Sequence, residues 1–226
     1  MKFDHPFVRL MAKERRDAVA VLFGTLGWSD LSDRSLLEVG CGSGGPLSDC
    51  LALGFTPERV CGIDVDPYCV ALARRSLPGA VRLITGDALE SADCVAAASQ
   101  DVVLQSTVFS SLLDDSVQTR LADQMWRWVR PGGGVLWYDF IYNNPWNRNV
   151  RGVPVKRIRQ LFPEGRLRVR RLTLAPPIGR AVTDIHESLY KICNVVPWLR
   201  THVLVWISKP TDSGTVAGPG LTRRSA

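Results

Sequence analysis

Between Ser35 and Phe140, short apolar runs alternate with amphipathic stretches. Ser35 to Val39 is a compact apolar run ending in glycines, the pattern of a buried strand. A helix is predicted from about Pro46 to Leu53, with proline in its first turn and Gly54 as its stop. Arg59 to Val65 predicts a second strand, Pro67 to Leu77 a second helix, and Val81 to Ile84 a third strand. The alanine-rich stretch up to Ser99 reads as loosely helical, and Asp101 to Leu104 as a fourth strand. Val117, Leu121, Met125 and Trp128 recur at helical spacing, so a helix with one apolar face starts at Asp115. Pro131 and three glycines are expected to end it before a fifth strand from Gly134 to Phe140. Five alternations of strand and helix are the signature of a parallel sheet wrapped by helices.

The rhythm changes after Phe140. Ile141 to Arg151 reads as a loop, Val155 to Phe162 as a short basic helix, and Arg166 to Leu174 and Thr201 to Ser208 as strands. Residues 175–200 carry Pro176, Pro177 and Pro197 and are expected to form a cap insertion over the sheet. Residues 1–30 form an N-terminal helical segment: the apolar stretch Ala18 to Trp28 is too short to span a bilayer and has no cleavage site after it. Ten of the last 18 residues are Gly, Pro, Ser or Thr, so 209–226 is expected to be a disordered tail behind a single domain over 1–208.

At 226 residues and ~150 per domain, one domain is expected. The 46% hydrophobic and 22% charged content excludes a disordered or collagenous chain. The net charge of +6 is unevenly placed: residues 147–171 hold nine Arg and Lys against one Glu, a local +8, so the remainder carries −2. Arg166, Arg168 and Arg170 alternate with Leu167 and Val169 as on a charge-protected edge strand, while an anionic acceptor or a nucleic acid would use the same charge differently. The six cysteines stand singly, without zinc-ligand spacing, so no metal is expected; reduced thiols fit the cytoplasm.

The sharpest chemical signal is Glu38-Val39-Gly40-Cys41-Gly42-Ser43-Gly44-Gly45. Its glycines let the chain turn out of the strand and let a ligand lie against bare backbone. Gly40, Gly42 and Gly45 also satisfy a dinucleotide fingerprint, which by itself does not separate cofactors. Asp64 ends the second strand, where a carboxylate can accept from two ribose hydroxyls, and Asp87 ends the third. One such acid is often only a helix cap, but acids on consecutive strands beside a glycine turn point to a ligand edge.

With these motifs, and with Gly62-Ile63-Asp64-Val65-Asp66, Gly86-Asp87-Ala88, Asp101-Val102-Val103-Leu104-Gln105 and Arg130-Pro131-Gly132-Gly133, the sequence resembles the class I S-adenosylmethionine-dependent methyltransferases. The resemblance covers about Ser35 to Phe140 and, more weakly, Thr201 to Ser208. It implies a Rossmann-like α/β fold: a mostly parallel seven-stranded sheet with helices on both faces and the last strand antiparallel. It implies S-adenosyl-L-methionine as cofactor, with Glu38, Gly40, Cys41, Gly42 and Gly44 around the methionine part. Asp64 is then placed at the ribose, Val65 at the adenine, Asp87 and Ala88 at its amino group, and Gln105 at the methionine end. An NAD-dependent oxidoreductase is the alternative cofactor reading, and no tyrosine is followed by lysine four positions on, as one dehydrogenase family requires.

The acceptor is read less directly. The sequence Gln105-Ser106-Thr107-Val108-Phe109 departs from the Asn/Asp-Pro-Pro-aromatic motif of enzymes acting on DNA bases. Asn144-Pro145-Trp146 follows the fifth strand rather than the fourth and is discounted. The Tyr- and Asn-rich run Trp137 to Asn147 resembles small bacterial methyltransferases of polysaccharide and natural-product pathways. A hydroxyl of a small metabolite, sugar-derived or aromatic, is therefore expected as acceptor, and the basic segment would favour an anionic one. His186 and Asp139 are the candidate bases. An RNA methyltransferase and a non-catalytic partner subunit are the alternatives; no appended module recommends nucleic acid.

Overall fold

The computed structural model describes residues 5–143 and 147–211. The tail expectation falls mostly on 212–226, and Asn144-Pro145-Trp146 with it, outside the described residues. Seven strands form one sheet in the order β3-β2-β1-β4-β5-β7-β6: β1 Leu36–Val39, β2 Val60–Asp64, β3 Arg82–Thr85, β4 Gln100–Ser106, β5 Val129–Phe140, β6 Arg166–Leu174 and β7 Arg200–Ser208. β7 runs antiparallel to both β5 and β6, so the other six strands are parallel. This is the expected fold.

The helices fall on two faces, as the continuous apolar runs of the inner strands require. On one face α1 (Pro6–Thr25), α2 (Gly45–Ala52) and α3 (Pro67–Ser76) bury Phe23, Leu47 and Ala73 against Leu36, Leu136 and Trp206. On the other, α4 (Asp115–Trp128) and α5 (Val155–Leu161) bury Met125, Trp128 and Ile158 against Val103, Trp137 and Val205. Residues 175–200 fold as α6 (Pro176–Ile185) and α7 (Glu187–Cys193), followed by a 3-10 turn at Pro197–Leu199. They join the carboxyl end of β6 to the start of β7 and pack on α1, where a Cβ on Gly179 would overlap the Phe7 ring.

Two expectations fail. The stretch before Ser99 is not helical: Asp87 folds it into turns by accepting from Leu89 N (2.8 Å) and Ser91 N (2.8 Å), leaving only a 3-10 turn at Ala92–Cys94. Ala98 N then donates to Arg127 O at 2.8 Å, which ties the segment to the end of α4. The second failure is at Pro131 and its glycines, which lie inside β5 rather than before it. The register of β5 against β4 shifts between Gln100 and Val102, and this irregularity accommodates the proline. Side chains there would collide, since a Cβ on Gly133 would come 2.6 Å from Asp101 O and one on Gly134 2.5 Å from the Trp206 ring.

Candidate active site

The carboxyl ends of β1, β2, β3 and β4 lie along one edge of the sheet, where open parallel sheets bind ligands. The turn after β1 needs left-handed backbone at Gly40 (φ 67°), Gly42 (φ 51°) and Gly44 (φ 86°). Gly40 also permits close approach of the segment after β4, because a Cβ there would overlap the Val108 Cγ2 methyl.

Four backbone amides of this turn are used inside the protein. Gly40 N and Cys41 N both donate to Ile63 O (2.8 and 3.1 Å), Gly44 N donates to Cys41 O (2.9 Å), and Gly42 N donates to Asp64 Oδ2 (2.7 Å). The second residue of α2 is Pro46, which has no N–H. These four amides are therefore not free to point at a ligand.

What lies beneath the turn is negative. Glu38 is wholly buried, and neither carboxylate oxygen has a hydrogen-bond partner among the described residues. Burial holds its pKa well above the usual carboxylate range; Arg15 and, more weakly, the nearby Leu47 N–H oppose that, and Asp64 and Asp49 add to it. A buried carboxylate with open lone pairs can take a cationic N–H donor, such as an amino group. This orphaned acceptor fits the amino-acid end of S-adenosylmethionine.

Asp64 bridges two turns, its Oδ2 accepting from Gly42 N and its Oδ1 from Asp66 N at 2.9 Å. Each oxygen keeps one lone pair for a further donor. Beside it Val65 and Tyr68 are 66% and 70% exposed, two large apolar side chains facing out at a polar strand end. Asp87 is exposed and Ala88 buried; the Asp87 carboxylate serves the turn described above. Cys41 is buried with its thiol pushed up to about 12, chiefly by desolvation, so its side chain offers no charge.

Gln105 is turned inward. Its Oε1 accepts from Val108 N (3.0 Å) and its Nε2 reaches Tyr138 O at 3.5 Å, which fixes the segment after β4. Asp139, near the end of β5, fixes the same segment: Oδ2 accepts from Ser110 N (3.1 Å) and Oδ1 from Phe140 N (2.9 Å). Asp139 is fully buried, and desolvation pushes its pKa up to about 6 although hydrogen bonding by the Ser110 side chain, these two amides and the Gln105 side chain lowers it. Thr107 between them is in left-handed backbone at φ 60°.

His186 is not brought to these groups. It caps α7, its Nδ1 accepting from Ser188 N at 3.2 Å, and is exposed in a surface hollow with Pro6, Leu10, Thr183 and Lys191. Groups that no sequence motif marks do converge on the site. Arg15 of α1 donates to Asp49 of α2 (2.9 Å) and to Ser106 Oγ (3.4 Å) and stacks over Tyr138. The neighbouring Glu14 accepts from Thr173 N (3.1 Å), Tyr190 Oη (2.7 Å) and Asn194 Nδ2 (2.6 Å), tying α1 to β6 and α7. Among the described residues no cluster of His, Cys, Asp and Glu could hold a metal, and no helix is long and apolar enough to cross a membrane.

A family model described as a methyltransferase domain matches residues 36–133. No curated protein sequence matches the chain. Among solved structures, a SAM-dependent methyltransferase from Archaeoglobus fulgidus is similar at TM-score 0.59 and 14% identity, covering 88% of this chain and 98% of that one. Geranyl diphosphate C-methyltransferase from Streptomyces coelicolor A3(2), solved with S-adenosyl-L-homocysteine, gives 0.60 and 13%, covering 84% and 75%. Magnesium protoporphyrin IX methyltransferase from Synechocystis PCC 6803, with bound SAM, gives 0.59 and 12%, covering 89% and 82%. Residues 36–133 thus match a methyltransferase domain, and the chain has the fold of these S-adenosylmethionine-dependent methyltransferases.

Proposed function

We propose that this methyltransferase acts on a hydroxyl of a small metabolite, sugar-derived or aromatic, with Asp139 accepting the hydroxyl proton. The observation that carries the reading is Asp139 itself, a carboxylate near the carboxyl end of β5 with its pKa pushed up to about 6. A hydroxyl is a poor nucleophile at neutral pH and gains from a base whose pKa lies near the working pH. Each Asp139 oxygen accepts one backbone N–H, and the Ser110 and Gln105 side chains also bear on the carboxylate. His186 is the weaker candidate, because its ring caps α7 on the outside of the insertion.

The sulfonium of the cofactor supplies an activated methyl group, so the protein has mainly to align donor and acceptor and exclude water. In this reading Glu38 receives the cofactor's amino group and Asp64 the ribose hydroxyls. Val65 lies along the adenine, and Asp87 and Ala88 meet its edge. The backbone of Gly40, Cys41, Gly42 and Gly44 shapes the methionine end, and Gln105 acts there through the segment it fixes. Arg171, whose Nη1 reaches Tyr142 Oη at 3.3 Å where β5 and β6 end, would favour an acceptor with a negative group.

The experiment is transfer of labelled methyl from S-adenosylmethionine into a fractionated cell extract. Label in the low-molecular-weight or glycolipid fraction supports the reading, and label in nuclease-sensitive RNA overturns it. Cofactor binding without turnover in any fraction would favour a non-catalytic partner subunit.

A further inference from the structure

The insertion between β6 and β7 carries a surface that the fold does not use. Five large apolar side chains on it face solvent: Ile178 and Ile185 on α6, Ile192 on α7, Val195 just past it, and Trp198 on the 3-10 turn, the last four 64–77% exposed. Single exposed aliphatics are ordinary on a protein surface. These are not scattered. α6 and α7 pack on each other and both pack on α1, so the two helices share an inner side and an outer one. The inner side holds Gly179, Thr183 and Tyr190, all buried. Ile178, Ala181 and Ile185 follow at helical spacing on the outer side of α6, and Ile192 and Val195 stand three positions apart on α7 and its end. The outer side is thus apolar where a solvent-facing helix should be polar.

The charge around this surface is positive. Residues 166–200 hold seven Arg and Lys against two acids. Both acids are engaged with α1 or its cap: Glu187 accepts from Arg9 at 2.9 Å, and Asp184 lies 3.1 Å from His5 Nε2. Arg180 of α6 and Lys191 of α7 are exposed, and neither forms an ion pair among the described residues. Arg200 donates through Nε to Asn194 O (2.7 Å) and through Nη1 to Arg171 O (3.3 Å). That holds the segment with Val195 and Trp198 against the end of β6, where Arg170 and Arg171 are exposed. Aliphatics and a tryptophan among open cations match an anionic bilayer, where the apolar groups enter the headgroup boundary and the cations meet phosphates. A second copy of the chain fits worse, because a two-fold contact would set these cations against themselves. Nucleic acid would meet the cations and leave the aliphatics unused.

We propose that α6, α7 and the turn after them dock the protein on an anionic lipid surface, so that the carboxyl edge of the sheet, from which the insertion springs, meets its acceptor at the membrane. The docking rests on this surface alone. Its consequence for the acceptor rests on the reading of a small hydroxyl substrate, and narrows that substrate to one carried on a lipid.

The test is co-sedimentation of the full chain with vesicles of phosphatidylcholine alone and of phosphatidylcholine mixed equally with phosphatidylglycerol. The wild type should sediment with the mixed vesicles, bind phosphatidylcholine at least about tenfold more weakly, and leave the mixed vesicles as salt is raised. R180Q/K191Q should weaken binding to the mixed vesicles about thirtyfold, the ordinary contribution of two cations at an anionic surface. I192S/W198S should weaken it about tenfold or more by removing apolar groups from the headgroup boundary. Both variants should keep the wild-type affinity for S-adenosyl-L-homocysteine by calorimetry, which shows them folded. No binding to the mixed vesicles, equal binding to both kinds, or binding that both variants retain would overturn the proposal. So would a wild-type dimer in sedimentation velocity that I192S/W198S abolishes, since the face would then belong to a second copy. Vesicle binding is read without turnover, so its failure leaves the hydroxyl reading standing. Labelled methyl confined to water-soluble metabolites would overturn the lipid-borne acceptor, and label in nuclease-sensitive RNA would refute the hydroxyl reading itself.

Discussion

Asp139→Asn separates burial from charge at a single position. The side chain is wholly buried, and its pKa rises from an ordinary 3.8 to about 6. A carboxyl whose folded pKa is raised favours the folded state in its protonated form. Its contribution is therefore full below the unfolded pKa and is lost as pH climbs through the folded one. At about 1.4 kcal/mol per pKa unit, the total loss is about 3 kcal/mol once both states are ionised. Roughly half of that, about 1.4 kcal/mol, falls between pH 5 and pH 8. Asparagine keeps the volume and one accepting oxygen for Ser110 N or Phe140 N, and it does not titrate. Any penalty for its extra donors is independent of pH and cancels when the two pH values are compared. Urea unfolding of the wild type and D139N at both pH values gives the quantity directly. The variant should gain about 1.4 kcal/mol on the wild type in going from pH 5 to pH 8. A difference that stays flat, or that favours the wild type at pH 8, would show that Asp139 ionises without cost and would remove the argument for its raised pKa.

The same variant should lose turnover by about 10²–10⁴ if Asp139 accepts the proton, and the wild-type rate should fall as pH drops through about 6; rate profiles for both proteins check this. Asp64→Ala should weaken S-adenosyl-L-homocysteine binding about tenfold to a hundredfold, equivalent to about 1.5–3 kcal/mol, as measured by calorimetry with the fold intact by circular dichroism. Gly40→Ala has to place a methyl against Val108 at φ 67°, so denaturant titration should show a loss of about 1–3 kcal/mol. Gly179→Ala forces α6 away from Phe7, and hydrogen exchange should accelerate in α6 and α7 while the sheet keeps its protection.

The glycine turn and the acids at the strand ends were legible because their demands are local. A glycine turn needs its glycines in sequence, and an acid at a strand end sits where the apolar run stops; Gly40, Gly42, Gly44, Asp64 and Asp87 all fall at this edge. The electrostatic partners were not legible, because tertiary packing brings them together. Arg15 reads in sequence as the basic flank of an apolar helix, and its partner Asp49 lies 34 positions away. Glu14 meets Tyr190 across 176 positions, and no pattern joins them. Pro131 and its glycines misled for a different reason. Local rules make them a helix stop, whereas steric exclusion by Asp101 and Trp206 requires small residues inside a strand. His186 shows the same limit from the other side, since its residue type suits catalysis while its place in the chain makes it a helix cap.

The sheet order also sets a timetable for synthesis. β6 has one neighbour, and that neighbour is the last strand of the sheet to be made. When the ribosome has released Leu174, β1 to β5 can already pair among themselves, but β6 has no partner. It waits while α6, α7 and β7 are added, a few seconds at about 5–20 residues per second. An unpaired strand of nine residues is a hazard in a crowded cell, and Arg166, Arg168, Arg170 and Arg171 make pairing between two waiting chains repulsive. Arrival of β7 then fills the gap between β5 and β6 in one step, covering Leu136 and Trp137 and recruiting the stranded edge together. A nascent chain halted before Arg200 would keep the open edge of β5 and its unattached basic strand, and so would present quality control with a half-built sheet.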